Sequence, residues 1–136
     1  MALKRYCLDT SGYSFFMKGH PGVIELIESA EWIGVPAVVL GELQIGFLLG
    51  SKIEKNEATL REFLAHRVVE VLPADASTAQ IYAEILLDLR RAGTPLPSND
   101  IWIAACAAQF GATVLTLDAH FNKINRVAAV ILETQF

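Results

Sequence analysis

The sequence predicts an α/β fold with a central, mostly parallel sheet of about five strands. Two observations carry this prediction. Short apolar runs alternate with stretches of helical periodicity, and strands that alternate with helices imply right-handed crossovers and parallel pairing. Several runs, such as 127–132, are apolar enough to be buried on both faces of a sheet. The 136 residues contain no internal repeat or long linker, so we expect one domain spanning 1–136.

The first half of the chain alternates strand-like and helical segments. The predicted elements are a strand at 4–9, a turn or helix start at 9–12, a helix at 23–30, a strand at 32–39, and helices at 41–51 and 53–65. Apolar residues spaced by three and four positions support the helix at 23–30. Pro36 is compatible with the second strand only at a strand end or edge, because it cannot donate a ladder hydrogen bond.

The second half continues the alternation. Its predicted elements are a strand at 68–72, a long helix after Asp75, a loop at 93–97, a helix at 99–110, a strand at 112–117, a helical turn at 119–123 and a strand at 127–132. Ile85 and Leu89 lie on one face of the long helix, which is therefore amphipathic. Ser98 is a good N-cap and Gly111 a good C′ residue for the helix between them.

Composition excludes several classes of protein. No apolar stretch reaches the roughly 18–20 residues that span a bilayer. Asp9 precedes any apolar run of the signal-peptide type, so we expect a cytoplasmic protein without membrane attachment. Cys7 and Cys106 lie among apolar neighbours and are predicted to be buried free thiols.

The net charge of −4 argues against a simple basic nucleic-acid binder. Four acidic residues considered next account for that excess. Without them, eleven of the fifteen acids remain, which equals the eleven lysines and arginines. The negative charge is therefore predicted to be concentrated in one candidate site.

Folding alone explains poorly the positions of four acids, which are Asp9, Glu42, Asp100 and Asp118. Asp9 and Asp118 each close an apolar strand, Glu42 interrupts an apolar helix, and Asp100 opens another. The carboxyl ends of parallel strands meet at one edge of a sheet, where ligands bind, so Asp9 and Asp118 are expected to converge. Carboxylates gathered in one place are usually held by a hard divalent cation, and oxygen ligands suit Mg²⁺ or Mn²⁺.

Three of these acids also have an ordinary structural explanation. Asp9 and Asp118 are suited to an N-cap or an Asx-turn at the junction that follows a strand. Asp100 lies in the first turn of a helix, where a carboxylate interacts favourably with the helix dipole. The helix beyond Asp100 is apolar all round and is predicted to be buried.

Glu42 is the acid that structure explains least. The residues stacked on it along the helix are Ile45, Gly46 and Leu49, which make its face apolar. An unpaired carboxylate buried there would cost several kcal/mol. Glu42 therefore needs a cation, a hydrogen-bond donor or a salt bridge to a lysine or arginine.

Polar residues adjoin the acids. These neighbours are Thr10, Ser11, Asn99 and Thr116. They are suited to orienting metal ligands or to hydrogen-bonding a phosphate, and turn or cap roles explain them equally well. His120, two residues after Asp118, is interpreted as a surface histidine.

Four segments carry a resemblance to a known family. They are Leu8-Asp9-Thr10-Ser11, Gly41-Glu42-Leu43, the run from Ser98 to Ala105, and the run from Thr116 to Phe121. In this order, over nearly the whole chain, they resemble the PIN-domain ribonucleases. Within that family the chain is most similar to the VapC toxins of bacterial toxin–antitoxin pairs.

The resemblance implies a PIN-like, three-layer α/β/α fold and Mg²⁺- or Mn²⁺-dependent endonucleolytic cleavage of RNA. By the same resemblance, Asp9, Glu42, Asp100 and Asp118 would be the catalytic, metal-binding acids. Asp9 and Asp100 would ligate the ion directly, and Asp118 directly or through water. Glu42 would ligate the ion or orient the attacking water.

Family members form homodimers and are silenced by a cognate antitoxin whose tail occupies the acidic groove. An apolar helical surface including Phe47 and Leu48 would suit either contact, and it is equally explained as ordinary core.

Two alternatives remain open at this stage. Asp9 could be the nucleophile of an aspartate-based phosphatase, but haloacid-dehalogenase-type enzymes place a second Asp where this chain has Ser11. The chain could instead be a non-catalytic PIN-like module that binds RNA or protein. The intact set of four acids disfavours that second alternative.

Overall fold

Five parallel strands form a single sheet at the centre of the computed structural model, which describes residues 4–134. The strands are β1 (Arg5–Leu8), β2 (Trp32–Pro36), β3 (Val69–Leu72), β4 (Thr113–Thr116) and β5 (Ala129–Ile131). Their spatial order is β3-β2-β1-β4-β5, and every neighbouring pair is parallel. The predicted parallel sheet is confirmed.

Helices flank this sheet and connect its strands. They are α1 (Thr10–Met17), α2 (Pro21–Ser29), α3 (Ala37–Leu49), α4 (Ile53–Leu64), α5 (Ala76–Ala92) and α6 (Ser98–Gln109), with a 3-10 turn at Ala119–Lys123. Among residues 4–134, no helix combines the length and the apolar character needed to cross a bilayer.

The order of the strands opens a crevice beside β1. From β1 the chain proceeds outward to β2 and β3, and it then returns to the other side of β1 to form β4 and β5. Connections from β1 and β4 therefore leave in different directions at their carboxyl ends, which is where open parallel sheets bind ligands. Leu8 is in register with Leu115. This register brings Asp9 next to Thr116.

The core is built mainly from the inner strands and α6. Residues 103–107 of α6 are all buried, as its uniformly apolar sequence predicts. Cys7 and Cys106 are buried free thiols, which confirms that prediction. Burial raises the pKa of both thiols, that of Cys106 to about 11, so both remain protonated near neutral pH.

The junction between β2 and α3 differs from the prediction of a strand over 32–39. Pro36 ends the strand and caps α3, so Val38 and Val39 are helical. Consecutive valines favour a strand on propensity alone. However, the φ angle fixed by proline and its missing N–H are well suited to a helix N-terminus. Glu42 therefore lies in the second turn of α3.

Two further details of the prediction are wrong. All three residues of β5 are only half-buried, because β5 is an edge strand with no neighbour on its outer side. The N-cap of α6 is Pro97 rather than Ser98, and it makes no side-chain capping bond. At the other end of α6, Gly111 has a φ of +63°, the left-handed conformation expected of a C′ glycine.

The start of α5 is held by a capping box. The Asp75 carboxylate accepts a hydrogen bond from the Thr78 N–H at 3.1 Å, and the Thr78 hydroxyl accepts one from the Asp75 N–H at 3.1 Å. Gln109, at the end of α6, donates a further bond to Asp75. Later in α5, Asp88 pairs with Arg126 at 2.5 Å. These acids of α5 thus have nearby donors or a cation.

Candidate active site

Asp9 directly follows β1 and is the N-cap of α1. Its carboxylate accepts hydrogen bonds from the Gly12 N–H at 2.7 Å, from the Ser11 hydroxyl at 2.8 Å and from the Thr116 hydroxyl. The residue is only 5% exposed. Burial raises the pKa of Asp9, and the charge of Asp118 adds to the rise, while the three hydrogen bonds oppose it. The cap role expected from the sequence is therefore real, and it fixes the orientation of the carboxylate.

Two hydroxyls connect Asp9 to the end of β4. Thr116, which is fully buried, donates to Asp9 and accepts from the Asp118 N–H at 2.9 Å. Ser11 donates to Asp9 and accepts from the Leu117 N–H at 3.1 Å. One hydrogen-bonded network thus joins Asp9, Ser11 and Thr116 to the backbone at the end of β4.

Asp118 begins the 3-10 turn, and His120 contacts it. The Asp118 carboxylate accepts a hydrogen bond from the backbone N–H of His120 at 2.9 Å, and the Nδ1 atom of the His120 ring lies 3.1 Å from the same oxygen. The His120 side chain is 61% exposed, as expected of a surface histidine. Sequence reasoning placed this residue outside the site, but the structure places its imidazole on one of the four acids.

Asp100 lies in the first turn of α6, within electrostatic range of the other three acids. Its pKa is raised to about 6, chiefly by burial and then by the charges of Asp118, Asp9 and Glu42. The nearby His120 lowers it. All three other acids are therefore close enough to Asp100 to act on its charge.

Glu42 joins the cluster from α3 through a hydrogen bond. The Thr10 hydroxyl donates to its carboxylate at 2.6 Å. The expectation that Glu42 lies on an enclosed apolar face is wrong. Ile45 is 54% exposed and Leu49 is 82% exposed, because this side of α3 faces solvent. Glu42 is half-buried, and its partner is a hydroxyl rather than a lysine or arginine.

In the described part of the chain, neither a lysine nor an arginine neutralises the cluster. Within residues 4–134, no lysine or arginine forms an ion pair with any of the four acids, and His120 is the sole nitrogen-bearing side chain paired with one. Like charges gathered in a partly buried site disfavour one another's ionised forms. A bound cation would relieve that repulsion.

The chemistry of the donors fits a hard divalent ion. All four predicted ligands offer carboxylate oxygen, which suits Mg²⁺ or Mn²⁺ better than softer metals. In the part of the chain that the structure describes, no three His, Cys, Asp or Glu side chains are close enough together to enclose an ion by themselves. Mg²⁺ commonly keeps several waters and uses only one or two carboxylates. The arrangement therefore fits an ion held partly through water.

The neighbouring polar residues differ in what they do. Thr10, Ser11 and Thr116 each hydrogen-bond one of the acids. Asn99 is exposed, and its side chain makes no hydrogen bond within residues 4–134. Because three donors already engage Asp9, the geometry also disfavours Asp9 as the nucleophile of a phosphatase.

Gly12 is the site residue that sequence reasoning missed. It donates its N–H to Asp9, and a Cβ atom at this position would lie 2.5 Å from the carbonyl oxygen of Leu115 in β4. The available signal was a glycine three residues after an N-cap aspartate, at the position whose N–H the cap accepts.

Known proteins resemble this chain in both sequence and fold. The model of the PIN domain family matches residues 6–127. The chain is 30% identical to ribonuclease VapC2 of Rickettsia felis over 132 residues, which cover 94% of this chain and 96% of that protein. It is 33% identical to ribonuclease VapC4 of Mycobacterium tuberculosis over 102 residues, or 75% of this chain and 78% of that protein.

Solved structures show the same fold. VapBC2 of Rickettsia felis, bound to a DNA fragment from its promoter, matches with a TM-score of 0.82 and 27% identity, covering 95% of this chain and 99% of that one. DNA-bound VapBC of Salmonella typhimurium matches with a TM-score of 0.80 and 27% identity, covering 96% and 98%. With a family model that spans most of its length and relatives that align along nearly all of it, the chain belongs to the PIN-domain family.

Proposed function

We propose that this protein is a divalent-metal-dependent endoribonuclease that hydrolyses RNA phosphodiester bonds with an activated water, and that it is the toxin of a toxin–antitoxin pair. The observation that carries the proposal is that three other acids lie within electrostatic range of Asp100, while no lysine or arginine in the described chain pairs with any of the four. Relatives named ribonuclease VapC2 and VapC4 support RNA as the substrate.

Each acid has a proposed role. Asp9 and Asp100 would hold a Mg²⁺ or Mn²⁺ ion directly, and Asp118 would hold it directly or through water. Glu42 would hold the ion or orient the attacking water. When bound, such an ion supplies Lewis-acid polarisation of the phosphodiester.

The chain's own hydrogen bonds would keep the acids in place before substrate arrives. Ser11 and Thr116 direct hydroxyl donors at Asp9, and Thr10 directs one at Glu42. Groups fixed in this way need little reorganisation during the reaction, which is the main source of electrostatic catalysis. Asn99, exposed at the start of α6, would contact an RNA phosphate.

The proposed partners are a cognate antitoxin and a second copy of the chain. The structures of VapBC2 of Rickettsia felis and VapBC of Salmonella typhimurium support the antitoxin. Beyond Glu42, α3 exposes Leu48 and Leu49 to solvent, and contiguous exposed apolar surface marks interaction sites. Phe47 is half-buried against the core, so Leu48 is the better contact of the predicted pair. The proposal keeps the predicted cytoplasmic location, where RNA is available.

The direct test is to incubate purified protein with total RNA in Mg²⁺, in Mn²⁺ and in EDTA. We expect cleavage with either ion, none with EDTA, and recovery when excess Mg²⁺ is restored. If the neighbouring gene encodes a small protein, a further arm adds that protein, and we expect it to stop cleavage if it is the antitoxin. Equal cleavage with and without chelator would contradict the metal mechanism. No cleavage under any condition would favour a non-catalytic binding module.

A further inference from the structure

Gly12 lies where α1 packs tightly against β4. It is the third residue of α1, and its N–H donates to Asp9 at 2.7 Å. A Cβ built on Gly12 would lie 2.5 Å from the Leu115 carbonyl oxygen and 3.3 Å from an Asp9 carboxylate oxygen. Real Cβ atoms essentially never approach another atom within 3.0 Å. No other residue type therefore fits here without movement.

The strand cannot provide that movement easily. The clashing atom belongs to the backbone of β4, and β4 is paired with β1 on one side and β5 on the other. A methyl group at position 12 must therefore push the first turn of α1 away by about half an ångström or more, the difference between 2.5 and 3.0 Å. Ser11 and Gly12, which hold Asp9 from this turn, would move with it.

We propose that Gly12 is a positioning residue of the active site: its missing side chain sets the distance between α1 and β4 at which Asp9 is held by donors from both. This inference rests on the proposed function and assigns a role to a residue with no side-chain chemistry. The Gly12 and Ser11 donors come from α1, and the Thr116 donor comes from β4. Asp9 keeps these three hydrogen bonds only while α1 stays this close to β4.

Two other glycines in the chain provide matched controls. Gly46, in α3, has open space where a Cβ would lie. Gly34, in β2, would place a Cβ 2.5 Å from the Trp32 ring and 2.7 Å from Leu72, neither of which belongs to the site. Gly46→Ala thus measures the effect of replacing a glycine by alanine without a clash. Gly34→Ala measures the effect of a steric clash away from the acids.

The experiment compares Gly12→Ala, Gly34→Ala and Gly46→Ala with the unmodified protein. Mn²⁺ binding is measured by electron paramagnetic resonance without RNA, and RNA cleavage is measured below every variant's melting temperature. For Gly12→Ala we expect Mn²⁺ to bind at least about fivefold more weakly and kcat to fall about 10–100-fold, since a 1 Å misplacement can cost about 10²-fold. Gly34→Ala should melt at a lower temperature yet bind Mn²⁺ and turn over normally. Gly46→Ala should match the unmodified protein in Mn²⁺ binding and in turnover.

A purely structural role would make Gly12→Ala resemble Gly34→Ala. If Gly12→Ala binds Mn²⁺ within twofold and cleaves within threefold of the unmodified protein, the proposal is overturned. If Gly12→Ala does not fold, the comparison is repeated in the Gly46→Ala background, where a better helix former adds stability.

A measurement that needs neither RNA nor metal separates this inference from the proposed function. The Gly12 amide is expected to exchange slowly with solvent and to shift in the NMR spectrum when Asp9 becomes Asn. A Gly12 amide that exchanges freely and does not respond overturns the proposal even if RNA is cleaved. Unmodified protein that never cleaves RNA overturns the proposed function, and this amide signal still decides whether Gly12 holds Asp9.

Discussion

Two helix starts in this protein use the same residue types with opposite electrostatic results. Asp9 begins α1 and Asp75 begins α5, and each accepts hydrogen bonds from a first-turn N–H and from a threonine hydroxyl. The pKa of Asp75 is lowered by hydrogen bonds from Thr78 and then from Gln109. The pKa of Asp9 is raised, because burial outweighs similar hydrogen bonds.

The difference lies in the surroundings of the cap. Asp75 is exposed to solvent and receives an extra amide donor, whereas Asp9 is buried and has another carboxylate, Asp118, nearby. Capping hydrogen bonds alone therefore indicate a stable helix start. Capping combined with burial and like charge indicates a site, since perturbed pKa values cluster at functional positions.

The largest expected effect comes from removing the charge at each cap. Asn caps helices about as well as Asp, so Asp9→Asn and Asp75→Asn should both fold. Under the proposed function, Asp9→Asn should reduce RNA cleavage at least about a thousandfold, because the carboxylate proposed to bind the ion loses its charge. Asp75→Asn should cleave within about twofold of the unmodified rate. If Asp9→Asn retains activity within about tenfold, or about 1.4 kcal/mol, Asp9 is not a core ligand.

The next effect comes from the two threonines that donate to these caps, both of which are fully buried. Valine keeps their shape and removes the hydroxyl. Each substitution should cost about 1–3 kcal/mol in unfolding free energy, measured in urea, because buried partners lose a hydrogen bond. Thr116→Val should also lower kcat about 10–100-fold, whereas Thr78→Val should leave kcat unchanged while folded. Equal losses of activity would mean that Thr116 acts only through stability.

The smallest expected effect is on the pH dependence of stability, which should have opposite signs for Asp100 and Asp88. The pKa of Asp100 is raised to about 6, so the folded state binds more protons than the unfolded state between about pH 4 and 6, and stability falls as pH rises through that window. In EDTA at pH 7, Asp100→Asn should raise stability by about 1–2 kcal/mol after allowance for solvent screening. Near pH 4 the gain should vanish.

Asp88 provides the opposite case. The hydrogen bond from Arg126 lowers the pKa of Asp88, so its contribution is present at pH 7 and is lost as pH falls through the acid range. Asp88→Asn should therefore lower the melting temperature at pH 7 and have little effect in acid. Thermal melts of both variants at the two pH values check the signs, and a loss of stability for Asp100→Asn at pH 7 would contradict the account of the site.

The meeting of Asp9 and Asp118 was predictable because parallel strands end at a common edge. The surroundings of Glu42 were not. The face of α3 that meets solvent depends on the packing of distant elements, which local periodicity does not encode. The strand predicted over 32–39 was too long. Val38 and Val39 favour a strand by propensity, but the tertiary context made them helical. The capping position of Gly12 could be read from the sequence, but its close approach to β4 is a tertiary distance that the sequence does not contain.

The central position of β1 has a consequence for the newly made chain. A ribosome releases Asp9, Glu42 and Asp100 before Thr116, yet β1 gains its second neighbour only when β4 emerges. Until then Asp9 lacks the donor that β4 supplies, and Asp118 is absent from the cluster. If the proposed function is correct, the growing chain cannot assemble all four acids until β4 and the turn that follows it have left the ribosome.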